Sequence, residues 1–397
     1  MASKRSVERE CNRRNEDRNV IEKRSYDMDK FWASANGGSF LITDGSAEER
    51  ERALLSKIED CIYEENMPAI ILNTSSEFEK KLISRVVGLD DKEVQLHVIS
   101  PEYKYYHVFY GMKHDIIVDY LYDMASKTLD SVETGLKNYM NAFLYILESC
   151  CTPTLTDMLG LMEYNDSQIK EMGARNGVSK KELDALIKYA DCGETFRNLV
   201  QDLANAFGVI TTTDCDTEHS ILGTELTDKT VFLITIRSGK PYLLNHYFAL
   251  ALRQLMETKS FRLIVNGLPF QEEDGLKELL NDLYDLPNME IGICMQDVLS
   301  VLTEENEVRR IPTQVIFTGQ SGVGSVPSVI LDYLGQYDYF YPVKGGGKKD
   351  PFDFWASDSW SVGGPSKRNR VRTEDMNGYS VILKGTAGQQ LLLVRQF

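Results

Sequence analysis

No Cys-x-x-Cys pair occurs in the 397 residues, and no two of the five histidines stand four apart. Those absences exclude the common zinc-ligand spacings and a dithiol redox motif, so no metal site is expected. The seven cysteines (Cys11, Cys61, Cys150, Cys151, Cys192, Cys215 and Cys294) are odd in number and fall mostly in apolar, periodic segments. They read as buried thiols in a reducing compartment, not as a disulfide framework. Long apolar runs are missing too. The longest stretches, such as "TVFLITI" and "QLLLV", fall far short of the roughly 20 residues that a spanning helix needs. The N-terminus is charged throughout and does not resemble a secretory signal. A cytoplasmic protein without a membrane span is expected, with recruitment to the inner face of the membrane left open. Positive charge is also scarce. Lys and Arg number 44 against 60 Asp and Glu, a formal net charge of −16. Such a chain is not built to coat nucleic acid with its outer surface.

Core-forming sequence, by contrast, is plentiful. A hydrophobic content of 42% supports a sizeable core, and the length suits one large domain with an insertion or two domains. Residues 1–30 form a charged leader, with 8 basic and 5 acidic side chains before Asp27, expected to be helical or frayed. Residues 31–114 alternate strand and helix. "SFLIT" at 39–43 precedes a helix over roughly 47–64, "AIILN" at 69–73 precedes a helix opened by Ser76-x-x-Glu79, and "VQLHVIS" at 94–100 is a third strand. Residues 115–208 carry apolar side chains at helical spacing, as in "YMNAFLYILESCC" and "ETFRNLVQDLANAF", with another capping box at Ser179-x-x-Glu182. An all-alpha insertion domain is expected there.

Residues 209–342 return to strands with "TVFLITI", "FRLIVNG", "MEIGICMQD" and "TQVIFTG", separated by helices at roughly 244–258, 271–284 and 326–335. Residues 343–397 open on a Gly- and Ser-rich stretch with 7 basic and 3 acidic side chains over 343–372, expected to be flexible. The strand pair "YSVILKG" and "QQLLLVRQ" closes the chain. Strands alternating with helices predict an α/β fold whose mostly parallel sheet is covered on both faces.

The stretch "GGSFLITDGSAEERERALL" at 37–55 has the form of the strand, turn and amphipathic helix on which nucleotide phosphates are bound. A working loop wraps the β-phosphate with consecutive backbone N–H groups. Its lysine neutralises charge, and its hydroxyl ligates Mg²⁺. Laying Gly-x-x-x-x-Gly-Lys-Ser/Thr on residues 44–51 puts Asp44 and Glu49 at the glycines, with Gly45 and Ser46 between them. Arg50 falls at the lysine and Glu51 at the hydroxyl. Glu48, Glu49 and Glu51 crowd the first helical turn, where they meet the helix dipole in place of a bound anion. Ser46 with Glu49 makes a capping box that engages the N–H donors a phosphate would use. A guanidinium fork does not replace the lysine at this position.

The order of these segments resembles the cytoplasmic ATPase domain of the TraG/TraD-type coupling proteins of conjugation and type IV secretion, within the FtsK/HerA-like P-loop superfamily. The similarity runs from about Asn19 to the end of the chain. It implies a RecA/FtsK-like P-loop NTPase core with an all-alpha insertion. In "AIILNTSSEFEKKL" the family's strand-end Asp is Asn73. In "FRLIVNGLPF" the family's Asp-Glu pair is Asn266 and Gly267, and in "IGICMQDVLSVL" Gln296 matches the family's γ-phosphate sensor. Hydrolysis needs an Asp for the Mg²⁺ shell and a carboxylate to polarise water, and neither stands here. Glu272 and Glu273, just downstream, read as a solvated first helical turn.

The expected protein is therefore catalytically degenerate, with no catalytic residue and no cofactor. It would be a scaffold or adaptor that meets protein components of the apparatus through its helical insertion and its cationic tail. The alternative is an active ATP-dependent DNA translocase that binds ATP and Mg²⁺, or one subunit of a mixed ATPase ring presenting Arg309 or Arg310 to its neighbour. DNA contact through the basic tail and an oligomeric state are left open. "TTTDCDTEHS" at 211–220 clusters Asp214, Asp216, Glu218 and His219 but lacks the glycine and terminal Glu of a calcium loop, so it reads as a polar loop. The aromatic run "PEYKYYHVFYG" at 101–111 could stack on bases. It is expected instead to pack the helical insertion onto the sheet.

Overall fold

The computed structural model describes residues 3–15, 22–24, 31–32, 38–64, 67–88, 93–100, 102–103, 106–128, 133–207, 220–237, 241–267, 276–284, 286, 288–296, 311–317, 336–345, 360–371, 381–385 and 391–394. In chain order the first elements are α1 (Lys4–Asn15), β1 (Glu22–Arg24), β2 (Phe40–Asp44), α2 (Ala47–Glu64), β3 (Ala69–Asn73), α3 (Ser76–Gly88) and β4 (Gln95–Ile99). A helical stretch follows: α4 (His114–Thr128), α5 (Leu136–Cys150), α6 (Leu155–Leu161), α7 (Asp166–Arg175), α8 (Lys180–Lys188) and α9 (Gly193–Phe207). The chain then runs through β5 (Thr230–Thr235), α10 (Pro241–Met256), β6 (Arg262–Asn266), α11 (Leu276–Tyr284) and β7 (Glu290–Met295). It ends with β8 (Thr313–Phe317), β9 (Gln336–Lys344), β10 (Trp360–Asn369), β11 (Val381–Lys384) and β12 (Leu391–Val394). Two compact units result, Met1–Asp60 with Ile293–Phe397, and Cys61–Gly292.

In the second unit the strand order is β6-β3-β5-β4, and all three pairings are parallel. Every residue of β3 ("AIILN") and β5 ("TVFLIT") is buried. Continuous apolar runs of this kind belong to strands covered on both faces. The register sets Asn73 opposite both Thr235 and Asn266, so three polar side chains meet at the carboxyl ends of three apolar strands. Between β4 and β5 the extended elements among the described residues are all helices. In α9 the buried side chains are Phe196, Leu199, Val200, Leu203, Ala206 and Phe207, the spacing of one helical face. In the aromatic run Tyr103 is exposed, and the core is reached by the stretch from Tyr106 to Phe109. Tyr106, Val108 and Phe109 are buried, and the Tyr106 hydroxyl meets that of Tyr247 on α10 at 3.1 Å.

Two capping expectations shift in detail. Ser179 precedes α8 but its side chain makes no capping bond, and Glu182 lies beside the Lys181 ammonium at 3.5 Å. The reciprocal box forms instead at Asn165 and Gln168, before α7. At α3 the cap is Ser75, one residue earlier than expected, whose hydroxyl accepts from the Phe78 N–H at 3.1 Å.

In the first unit β2 and β8 pair in parallel, β8, β11 and β12 pair antiparallel in turn, and β12 takes β1 as a parallel partner. The charged leader thus contributes both a helix and a three-residue strand. The stretch expected to be flexible carries β10, paired antiparallel with β9 from Trp360↔Lys344 to Asn369↔Gln336. Its Gly- and Ser-rich composition hides a strand whose pairing is supplied by the Tyr-rich partner. The helix expected at 326–335 lies outside the described residues. Among the described residues no helix is long and apolar enough to cross a membrane.

Candidate functional site: two strand-end clusters

The first cluster is the turn from β2 into α2. Asp44 and Gly45 both adopt the left-handed region, at φ 62° and 67°, which reverses the chain so that a helix can start at Ala47. Glycine is required at the second of these. A Cβ on Gly45 would stand 2.5 Å from Phe317 Cβ. Ser46 caps the helix, its hydroxyl accepting from the Glu49 N–H at 3.2 Å. The Glu49 carboxylate reaches back to accept from the Ser46 N–H at 2.8 Å and the Ser46 hydroxyl at 2.9 Å. The box expected from Ser46 and Glu49 is formed in full.

Arg50 folds back over the same turn. One guanidinium nitrogen donates to the Gly45 carbonyl at 2.7 Å and the Asp44 carbonyl at 3.1 Å, so this cation ties down its own loop. Glu51 is buried at 7% exposure. The Cys294 thiol of β7, also buried, lies 4.0 Å from the Arg50 carbonyl. Burial pushes that thiol up to about 12, with Glu51 adding to the rise and Arg50 opposing it. Gln296, just past β7, is exposed, and its backbone carbonyl accepts from the Thr43 hydroxyl at 3.4 Å.

The second cluster is an amide network. The Asn73 side-chain oxygen accepts from the Ser75 N–H at 3.0 Å and from the Asn266 amide at 2.9 Å. Its nitrogen donates to the Ser75 carbonyl at 2.7 Å and to the Thr235 hydroxyl at 3.1 Å. Both donors and both acceptor sites of a fully buried side chain are thereby used. Gly267 follows at φ 70°, and its carbonyl accepts from the Thr74 hydroxyl at 3.2 Å.

Asn73 and Asn266, singled out separately from the sequence, are therefore direct partners. Thr235, Thr74 and Ser75 were missed. The polar residue ending the apolar run "TVFLIT" was the available signal for Thr235. Glu272, Glu273, Arg309, Arg310 and residues 211–219 lie outside the described residues.

A mostly parallel sheet flanked by helices, with a turn leading from the end of a strand into a helix, defines the α/β P-loop-NTPase-like fold of the RecA/FtsK kind. No protein-family model matches the sequence, and no curated protein matches it. Among solved structures, the chain is similar to the bacterial conjugative coupling protein TrwBΔN70 in complex with sulphate. The TM-score is 0.52 at 10% identity, covering 97% of this chain and 91% of that one. It is likewise similar to the plasmid coupling protein TrwB in complex with the GTP analogue GDPNP, with TM-score 0.50 at 10% identity and the same coverage of 97% and 91%. At that identity the likeness establishes the shared fold.

Proposed function

We propose that the chain is a scaffold or adaptor of a conjugative transfer or type IV secretion apparatus, built on a P-loop-like fold that no longer receives a nucleotide. The fold is that of coupling proteins, one of which is described with a bound GTP analogue. A magnesium triphosphate does not suit the side chains present here. Backbone N–H groups that would wrap a phosphate must point outward unengaged. In this turn the Ser46 and Glu49 N–H groups are held by each other's side chains. The cation at the lysine position is engaged with the Asp44 and Gly45 carbonyls. In the second cluster an amide, Asn266, donates to another amide, Asn73, where a metal shell needs an anionic oxygen.

The carrying observation is the closed Ser46–Glu49 box, because it fills the anion position with the protein's own carboxylate. Isothermal titration of the whole chain with ATP and Mg²⁺ tests the reading. No saturable heat is expected up to millimolar nucleotide. A micromolar dissociation constant would sink it.

A further inference from the structure

One strongly cationic part of this acidic chain has no role in either cluster. Helix α1, "KRSVERECNRRN", holds five basic and two acidic side chains in 12 residues, against −16 for the whole chain. Arg5, Arg9 and Arg13 recur every fourth residue and so share one face of the helix, about 6 Å apart along its axis. With Ser6 and Glu10 they form one wall of a cleft of about 710 Å³, and Trp360, Ser361 and Val362 at the start of β10 form the other. Arg13 is tied to Glu10 at 3.0 Å. Neither Arg5 nor Arg9 has a carboxylate partner among the described residues.

The walls are fixed to each other. Val7 and Cys11 are buried, and the Asn15 amide donates to the Phe340 carbonyl and accepts from its N–H, both at 2.9 Å. The Lys4 ammonium stands over the Trp360 ring at 5.2 Å.

We infer that this cleft docks a short acidic peptide segment of a partner protein, its carboxylates on Arg5 and Arg9 and its backbone along β10. Three features favour a peptide. First, β10 belongs to a two-stranded sheet and has a partner on one side only among the described residues. An unpaired strand edge recruits an extended chain through backbone hydrogen bonds. Second, the lining mixes guanidinium groups with Val362 and Trp360, which suits alternating acidic and apolar side chains. Third, Glu10 in the arginine wall repels a continuous polyphosphate but is tolerated by spaced carboxylates. The volume is that of a ligand-sized pocket, not of a groove that holds a duplex.

The inference rests on the adaptor reading only in that the occupant is a partner protein. Nucleotide binding would end that reading and leave this test untouched.

Fluorescence anisotropy with the full chain decides it, using a labelled octapeptide of alternating Asp and Leu, and a labelled oligothymidylate of equal charge. The peptide is expected to bind. Arg5→Ala with Arg9→Ala should weaken it at least about ten-fold. Arg175→Ala, which removes an exposed cation on α7 paired with Glu171, should leave it unchanged. Absence of peptide binding overturns the inference, as does an equal loss in Arg175→Ala. Tighter binding of the oligothymidylate through the same two arginines would assign the cleft to nucleic acid and overturn it too.

Discussion

At the end of β2 the chain concentrates charge, whereas at the ends of β3, β5 and β6 it removes it. The first cluster gathers Asp44, Glu49, Arg50 and Glu51 around one helical turn. The second joins Asn73, Asn266 and Thr235, all neutral. Each arrangement satisfies its own polar groups without a ligand. They reach that state by different physics. The charged turn is held by helix-end electrostatics at a partly exposed surface, where water competes and each bond contributes little. The amide network is sealed among apolar strands, where an unmet polar atom costs several times more. The contrast predicts an order of mutational cost.

Asn73→Asp should be the most damaging change. The carboxylate that replaces the amide cannot donate, so the Ser75 carbonyl, 2.7 Å away, would face another oxygen. The Thr235 hydroxyl can rotate to donate instead, which leaves the Ser75 contact as the main loss. A destabilisation of about 3 kcal/mol or more is expected, read as a lowered urea midpoint. Asn266→Asp removes one donor to Asn73 and should cost roughly half as much. Unchanged midpoints in both would show that the amides do not hold this strand end.

The glycines sharpen the same contrast. Gly45→Ala meets both a left-handed backbone and the Phe317 Cβ at 2.5 Å, for a cost of about 2 kcal/mol or more. Gly267→Ala has a comparable φ of 70°, but its nearest neighbour is the Thr74 hydroxyl at 2.9 Å, which can rotate away. About 1 kcal/mol is expected there. Equal shifts in thermal midpoint would mean that backbone strain alone sets the cost.

Removing the cap by Ser46→Ala should cost about 1 kcal/mol. Glu49→Gln should cost less, because a side-chain amide still accepts from the Ser46 N–H. If Ser46→Ala instead opened the turn to Mg-ATP, with calorimetric binding absent from the parent chain, the side chains and not the backbone would be what keeps phosphate out.

Legibility followed the range of the interaction. The Ser46–Glu49 box spans three residues, and local chemistry settled it. Strands β3 and β5 were readable because continuous burial leaves an uninterrupted apolar run. The same four-letter spacing failed at Ser179, where Glu182 lies by Lys181, since a pattern names partners without excluding competitors. Asn73 and Asn266 were each marked by resemblance, yet their contact joins residues 193 apart, and nothing local in either segment encodes it. Strand β10 was hidden for a related reason. Its pairing is supplied by β9, while its own Gly, Ser and Pro content argues for a loop.

The two clusters should also separate by pH. The second is built of amides and hydroxyls and has nothing to titrate near neutrality. The first has Cys294 beneath it, whose buried thiol is raised from about 9 to about 12. An acid whose folded value is raised keeps its proton in the fold after the unfolded chain has begun to lose it. Its contribution is therefore complete below about pH 9 and is lost as pH climbs from 9 towards 12. At pH 9 the loss from this one group is only about 0.4 kcal/mol. The difference in urea midpoint between pH 7 and pH 9 should accordingly shrink slightly in Cys294→Ala. In Asn266→Gln, which alters the amide cluster alone, it should stay at the parent value. A pH response that followed the amide variant and ignored the thiol variant would reverse the assignment of charge to one cluster and neutrality to the other.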